Sequence, residues 1–381
     1  MITLIEGGEL FTPEARGRSD VVVIGEQVAK VGSLDAELVR RGGLEVELLD
    51  ARDRLVIPGL IDPHEHLLGG SGERGFASQT PELGLREILE GGITTVVGCL
   101  GVDATTKTMT GLLAKVRAFE EEGLTARLYT GGYPVPPTTL TGSVRSDMLL
   151  VPEVIGAGEV AIADSRSSQP SVQELARIAS DAHVGGILTN KAGVVHFHVG
   201  DGKLGLQPLR QLLDDYEIAP TTLYPTHVER NERLMREAIA LTLRGVTVDV
   251  DTVEEDLLHW FRFFVAEGGA LAHLTVSSDA SIPSPRTLFT QLQQLVLEGK
   301  VPLERALPCF TRNTARVLKL TDKGRIEAAA SADLVVLERG TLEIVHVMSR
   351  GRVLVRDGKL TFLERFLEKS NRRLQLNGKK A

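Results

Sequence analysis

The sequence predicts an α/β protein: a (β/α)8 barrel of the TIM type beside a small β-sandwich formed from both chain ends. Three observations carry that expectation. Short β-rich runs alternate with segments of helical spacing along the middle of the chain, several of those segments stop at a glycine, and the two ends carry β-rich runs and turns instead. Eight strand-then-helix units fit a closed barrel better than an open sheet, because that architecture needs about 250 residues and sets its loops after the strands. The stretch from Leu55 to Leu320 has that size.

Taken in order, residues 1–54 form the first part of the sandwich, with Val21-Val22-Val23-Ile24 as its plainest strand. The barrel occupies 55–325. Its strands are expected at Leu55 to Ile61, Thr94 to Gly98, Ala126 to Thr130, within Val154 to Ile162, and at Val194 to His198, Thr222 to His227, Val246 to Val250 and Leu274 to Ser278. Helical spacing marks Glu82 to Glu90, Thr110 to Glu122, Ser171 to Ala182, Leu206 to Tyr216, Asn231 to Arg244, Asp256 to Glu267 and Leu288 to Glu298. Gly91, Gly123, Gly245, Gly268 and Gly299 stand where helices commonly end. Residues 326–381 complete the sandwich through Leu334 to Leu337 and Ile344 to Val347, with a turn at Arg356-Asp357-Gly358-Lys359. The basic tail Lys369 to Ala381 reads as a frayed end or a surface helix.

Composition narrows the function classes. With 381 residues, 42% hydrophobic and 25% charged, the chain can bury a large core. A net charge of −8 and the lack of Lys/Arg-rich runs argue against nucleic acid and membrane surfaces as partners. The N-terminus has no basic n-region with a long apolar segment, and no apolar stretch approaches the about 18 residues a span requires, so a cytoplasmic protein is expected. Cys99 and Cys309 are the only cysteines, so neither a disulfide framework nor a thiolate metal site is expected, and both read as buried thiols.

The chemistry begins at Pro58-Gly59-Leu60-Ile61-Asp62-Pro63-His64-Glu65-His66. Alternate side chains of an extended chain share a face, so His64 and His66 can reach one metal ion together. His198 ends the fifth run, His227 the sixth, and Asp279 closes the eighth. A lone histidine at a strand end is ordinarily just a hydrogen-bonded residue. Five such residues at the ends of strands one, five, six and eight of one barrel read together as a hydrolytic metal centre. His196 shares a strand face with His198 but lies deeper, and His183, His259, His273 and His346 are given no role.

With those residues in place, the chain resembles the bacterial isoaspartyl (β-aspartyl) dipeptidases of the amidohydrolase superfamily over essentially its whole length. The histidine pair alone points only to the superfamily. The narrower resemblance rests on Gly69-Gly70-Ser71-Gly72-Glu73, Thr130-Gly131-Gly132-Tyr133, Thr141-Gly142-Ser143-Val144, Asp164-Ser165-Arg166-Ser167, Leu206-Gln207-Pro208 and Pro225-Thr226-His227-Val228-Glu229-Arg230-Asn231. It implies hydrolysis of the β-aspartyl amide bond of dipeptides by a metal-activated hydroxide. His64 and His66 would bind a more buried divalent ion, His198 and His227 a more exposed one, and Asp279 the buried ion while also handling protons. Zinc suits imidazole and carboxylate ligands with an open position, although manganese, iron and cobalt accept the same ligand types. Tyr133 would donate to the developing oxyanion. An isoaspartyl dipeptide carries an ammonium and two carboxylates, so Glu73 would hold the ammonium and Arg166 and Arg230 the carboxylates. Ser71 and Val102 fall at positions that touch substrate in the family, here through backbone at most, and a serine contact after Asp279 is left open. The resemblance further implies a homo-oligomer, an octamer.

One position departs from the family. Binuclear members bridge their ions with a carboxylated lysine, and Glu159 stands at the matching position. Charge and oxygen count survive, but the glutamate places its oxygens about three bonds nearer its own backbone. A bulge at Gly158 could close that gap; otherwise Glu159 is a rim carboxylate beside a single ion. Lys191, before the fifth strand, belongs at the opposite end of the barrel. Two other readings stay open: an amidohydrolase acting on an N-acyl amino acid, a cyclic amide or another acidic dipeptide, and a non-catalytic assembly protein on the same barrel.

Overall fold

Strand-forming residues from the two ends of the chain meet in one sheet. The computed structural model describes residues 2–368 and Ser370, so the basic tail lies, Ser370 aside, outside the described residues. Ile2–Phe11, Ala15–Ile24, Gln27–Val31, Val46–Asp50 and Arg54–Pro58 from one end join Leu334–Glu338, Ile344–Ser349, Arg352–Arg356 and Lys359–Leu360 from the other. Arg54–Pro58 links the halves, pairing parallel with Ile2–Phe11 and antiparallel with Leu334–Glu338. Ladder hydrogen bonds therefore run through all the strands of this unit, and the sheet curls around a core of Ile5, Leu10, Val21, Val23, Val28, Val56, Leu334 and Val336.

The two-residue period of a strand explains how this unit attaches to the barrel. Val56, Leu334 and Val336 face the small core, whereas Leu55, Ile57, Val335 and Leu337 face the large one. The run expected as a single barrel strand from Leu55 to Ile61 consequently divides. Arg54–Pro58 belongs to the terminal sheet and Leu60–Glu65 to the barrel, with the break at Gly59, where a Cβ would fall on the Thr94 side chain. A buried apolar run carries no change of period at such a break, so the pattern alone could not reveal it.

The remaining barrel strands are Ile93–Gly98, Thr125–Thr130, Val154–Ile162, Val194–Val199, Leu223–Thr226, Val248–Asp251 and Leu274–Ser277. The first six form a parallel sheet in chain order, and the last two pair with each other. Closure is then made by other means. The His66 amide donates to the Ala280 carbonyl at 2.5 Å, and the Ser278 amide donates to the Asp62 carboxylate at 3.2 Å, which joins strand eight to strand one. Between strands six and seven, which no ladder joins, the Asp249 carboxylate of strand seven takes over. It accepts from Thr226 Oγ1 (2.9 Å), Thr275 Oγ1 (2.6 Å), Ser277 Oγ (2.5 Å) and Tyr224 Oη (3.4 Å), all of them buried. A carboxylate has lone pairs enough for all of these donors, so one side chain stands in for a missing ladder.

Helices pack outside the strands, burying faces such as Leu112, Val116 and Phe119 of Met109–Glu122. The unit after strand three carries a helix absent from the sequence reading, Val144–Leu150. It is two turns long and set by its cap, since Ser143 Oγ accepts from the Ser146 amide at 3.0 Å. Among the described residues no helix is long and apolar enough to cross a membrane. Asp249→Ala would leave the buried Thr226 and Ser277 hydroxyls without their acceptor and remove one partner each from Thr275 and Tyr224. Urea unfolding should show a loss of about 3 kcal/mol or more; an unchanged midpoint would exclude the carboxylate as a closing element.

Candidate metal centre

The ends of strands one, four, five, six and eight converge. His64 and His66 leave strand one with ring centroids 5.3 Å apart, and His198 and His227 face each other at 4.4 Å. Between the two pairs sits Glu159, fully buried in strand four. Its Oε2 lies 3.3 Å from His64 Nε2 and 3.8 Å from His66 Nε2, while its Oε1 lies 2.6 Å from His198 Nδ1 and 3.2 Å from His227 Nε2. Each oxygen thus addresses one histidine pair. Asp279 Oδ1 completes the cluster at 3.1 Å from His66 Nε2 and 3.3 Å from His64 Nε2.

The reach of Glu159 has a local cause. Along strands four and five the register runs from Ala157 opposite Val195 to Val160 opposite Phe197, so strand four carries one extra residue there. Gly158 has φ 153, and a Cβ on it would sit 2.8 Å from His196 Cβ and 2.9 Å from the His196 carbonyl oxygen, so only glycine fits. The Gly158–Glu159 peptide bond is cis. The bulge expected from sequence is present. His227 and Asp279 also sit at left-handed φ, 61 and 50. Such backbones cost about 1–3 kcal/mol each and persist where the surroundings fix them.

Both ring nitrogens of His64, Glu159 Oε2 and Asp279 Oδ1 are buried with no hydrogen-bond partner. Buried polar atoms are rarely left so, and imidazole and carboxylate donors aimed at one space are what a divalent cation requires. Three ligand groups, each with atoms within 4.8 Å of one another, overlap here: His64, His66, Cys99 and Glu159; His64, His227 and Asp279; and Glu159, His198 and His227. These residues therefore fit a divalent-metal site. Burial alone would raise Glu159, yet the imidazoles of His64 and His198 hold its carboxyl well below the usual range. Burial would likewise depress His227, but its hydrogen bonds with Asp251 and Glu159 lift it to about 9.

A second layer fixes these rings. His227 Nδ1 lies 2.6 Å from Asp251 Oδ2, and Asp251 is itself held by the Val253 amide at 2.8 Å. His198 Nε2 lies 3.0 Å from Asp164 Oδ2. The sequence reading assigned neither acid a role. Asp251 was within its reach, because it ends strand seven as Asp279 follows strand eight. Placing that strand's end at Val250 put Asp251 one residue beyond it.

The rim groups assemble partly as expected. Tyr133 Oη lies 2.8 Å from His198 Nδ1, and burial, then the Glu159 charge, push its phenol well above the ordinary range, so it stays a donor. Arg166 grips Asp164 with both arms (3.0 and 2.8 Å), donates to Glu73 at 2.7 Å and lies 5.4 Å from the Tyr133 ring centre. Arg230 donates to the Val199 carbonyl at 2.8 Å and approaches His198 Nε2 at 3.4 Å. Ser71 Oγ accepts from the Asp103 amide at 3.2 Å, tying its loop to the one carrying half-buried Val102. Ser281 Oγ is engaged with Thr80 Oγ1 at 2.5 Å. His196 lies beneath the centre, its Nδ1 3.0 Å from the Tyr224 carbonyl and its ring edge-on to His64 at 4.8 Å. Lys191 donates to the Met148 and Val151 carbonyls, 2.7 Å each, at the far end of the strands.

The amidohydrolase family model matches residues 55–198 and 177–354. Two crystal structures of β-aspartyl dipeptidase from Fervidobacterium islandicum are similar to this chain, each covering 95% of it and 99% of its own length. One is 40% identical with a TM-score of 0.91; the other, in complex with β-Asp-Leu, is 39% identical with a TM-score of 0.89. Dihydroorotase from Pelotomaculum thermopropionicum is 26% identical, over 92% of this chain and 93% of its own. From the geometry alone, Asp251→Asn should weaken zinc binding about 10–100-fold by loosening His227, measured by competition with a chromophoric chelator. Unaltered retention would show that His227 keeps its orientation unaided.

Proposed function

This chain belongs to the amidohydrolase family, and we propose that it hydrolyses the β-aspartyl amide bond of dipeptides at a two-ion centre. One observation carries the reading: the likeness, over 95% of the chain, to β-aspartyl dipeptidase, which also crystallises with β-Asp-Leu. His64 and His66 would hold one ion and His198 and His227 the other, with Glu159 between them and Asp279 beside the first. When bound, divalent ions, for which zinc suits these donors, supply the Lewis acidity that acidifies water and polarises the scissile carbonyl.

The chain's own residues do the rest. Asp279 is placed to accept the proton of the attacking water and return it to the leaving amine, a transfer amide cleavage needs because an amide anion leaves poorly. Tyr133, kept as a neutral phenol, donates to the carbonyl oxygen as negative charge grows there, a contribution of about 3 kcal/mol for donors of this kind. Glu73 receives the substrate ammonium, and Arg166 and Arg230 receive its carboxylates by forked contacts. In the free protein Glu73 and Arg166 neutralise each other across 2.7 Å, so a zwitterionic ligand replaces each partner with one of the same sign. Ser71 and Val102 contribute backbone alone. Resemblance to the family supports a homo-octamer as the working form.

Purified protein supplied with zinc should release aspartate and leucine from β-Asp-Leu. Faster turnover of dihydroorotate or N-acyl amino acids under the same conditions would overturn the substrate assignment. Glu159→Ala should lose at least one ion per chain by elemental analysis, with kcat/KM falling about 100-fold or more; full metal content and activity would refute the bridge.

A further inference from the structure

Cys99 stands immediately after strand two and is 1% exposed. Its amide donates to the Glu65 carbonyl at 3.0 Å, which pins the residue against the segment between His64 and His66, and its sulfur lies 3.7 Å from His66 Nδ1. We propose that Cys99 is a thiolate ligand of the buried ion, alongside His64, His66 and Glu159.

Two independent observations meet at this sulfur. The ligand atoms of Cys99, His64, His66 and Glu159 all lie within 4.8 Å of one another, so small side-chain movements bring four donors onto one cation. Separately, fully buried His64 has both ring nitrogens unpartnered, and Glu159 Oε2 is unpartnered beside it. The other cysteine provides an internal contrast. Cys309 is equally buried, but its neighbour is the Asn313 amide at 3.9 Å, it belongs to no ligand group among the described residues, and burial pushes its thiol up to about 12. Both thiols are buried, as expected from sequence, but only Cys99 lies among the donors of the centre.

The consequence would be a difference in donor set between the ions: the buried ion would gain a thiolate beside its imidazole and carboxylate donors, whereas His198, His227 and Glu159 offer the other no sulfur. A soft sulfur ligand also biases the buried position toward zinc and away from manganese. Ligation displaces the thiol proton, which leaves to solvent, so metal uptake releases one proton at this residue.

The inference rests on the two-ion reading of the site, and the test separates it from the substrate assignment. Full-length protein is loaded with cobalt(II) and its near-ultraviolet absorption recorded for thiolate-to-cobalt charge transfer. Wild type and Cys309→Ser should show the band, Cys99→Ser should lack it, and Cys99→Ser should hold the buried ion about 10–100-fold more weakly. Absence of the band in wild-type protein carrying two cobalt ions per chain overturns the proposal without recourse to any variant, as does a band that survives Cys99→Ser. Turnover of β-Asp-Leu by the same wild-type sample without the band sinks the thiolate ligand alone; the band without turnover sinks the dipeptidase reading alone.

Discussion

The centre depends on one carboxylate reaching the barrel axis with an oxygen for each histidine pair. Glu159 is a short side chain for that reach, so the backbone moves toward the axis. The extra residue in strand four, the absent Cβ at Gly158 and the close approach of His196 are parts of one adjustment. Once Glu159 is fixed, His198 and His227 have their common neighbour and His64 and His66 theirs. Asp164 and Asp251 then hold the two outer rings from behind. Moving the carboxylate by an ångström would leave buried nitrogens on both sides without a counter-charge, which is expensive in a dry interior.

That density of charge ties the centre to the stability of the barrel. Imidazoles and carboxylates packed this closely balance one another only in part, and a divalent cation would supply the remainder. Because the unfolded chain holds no such arrangement, the binding energy of a cation would become folding energy, about 4 kcal/mol at a free concentration a thousandfold above its dissociation constant. Asp249 is the counterpart built wholly from protein. It accepts hydroxyls from strands six and eight, so strand seven, already laddered to strand eight, is also held to strand six where ladder hydrogen bonds do not join them.

Much of this was legible in the residues, and the gaps have physical reasons. Strand-end position put His64, His66, His198, His227 and Asp279 on one rim, where they do meet, because β-rich runs announce their own ends and a barrel turns those ends into one rim. The same logic passed over Asp251 because the boundary of strand seven was set one residue early, and boundaries are where pattern is weakest. Val144–Leu150 escaped because two turns carry almost no periodicity; its evidence lay in Ser143 and Ser146, a capping pair rather than an apolar stripe. Gly59 hid a change of sheet because both sides of the break are apolar and buried. Cys99 was read from its own type, whereas its significance comes from neighbours supplied by strands one and four.

Arg54–Pro58 lies between two cores, with Leu55 and Ile57 turned to one and Val56 to the other. Its partner Leu334–Glu338 comes nearly three hundred positions later; Arg54 pairs with Glu338 across a separation of 284 residues. During synthesis the emerging chain therefore carries an apolar strand with a bare edge until the partner strand, 284 residues on at Glu338, has also emerged. Contacts of such long sequence separation form late and leave the edge open to other chains meanwhile. The final strands thus act as the fastener that ends this exposed interval, and a message truncated before Leu334 would yield a barrel with an unguarded, sticky flank.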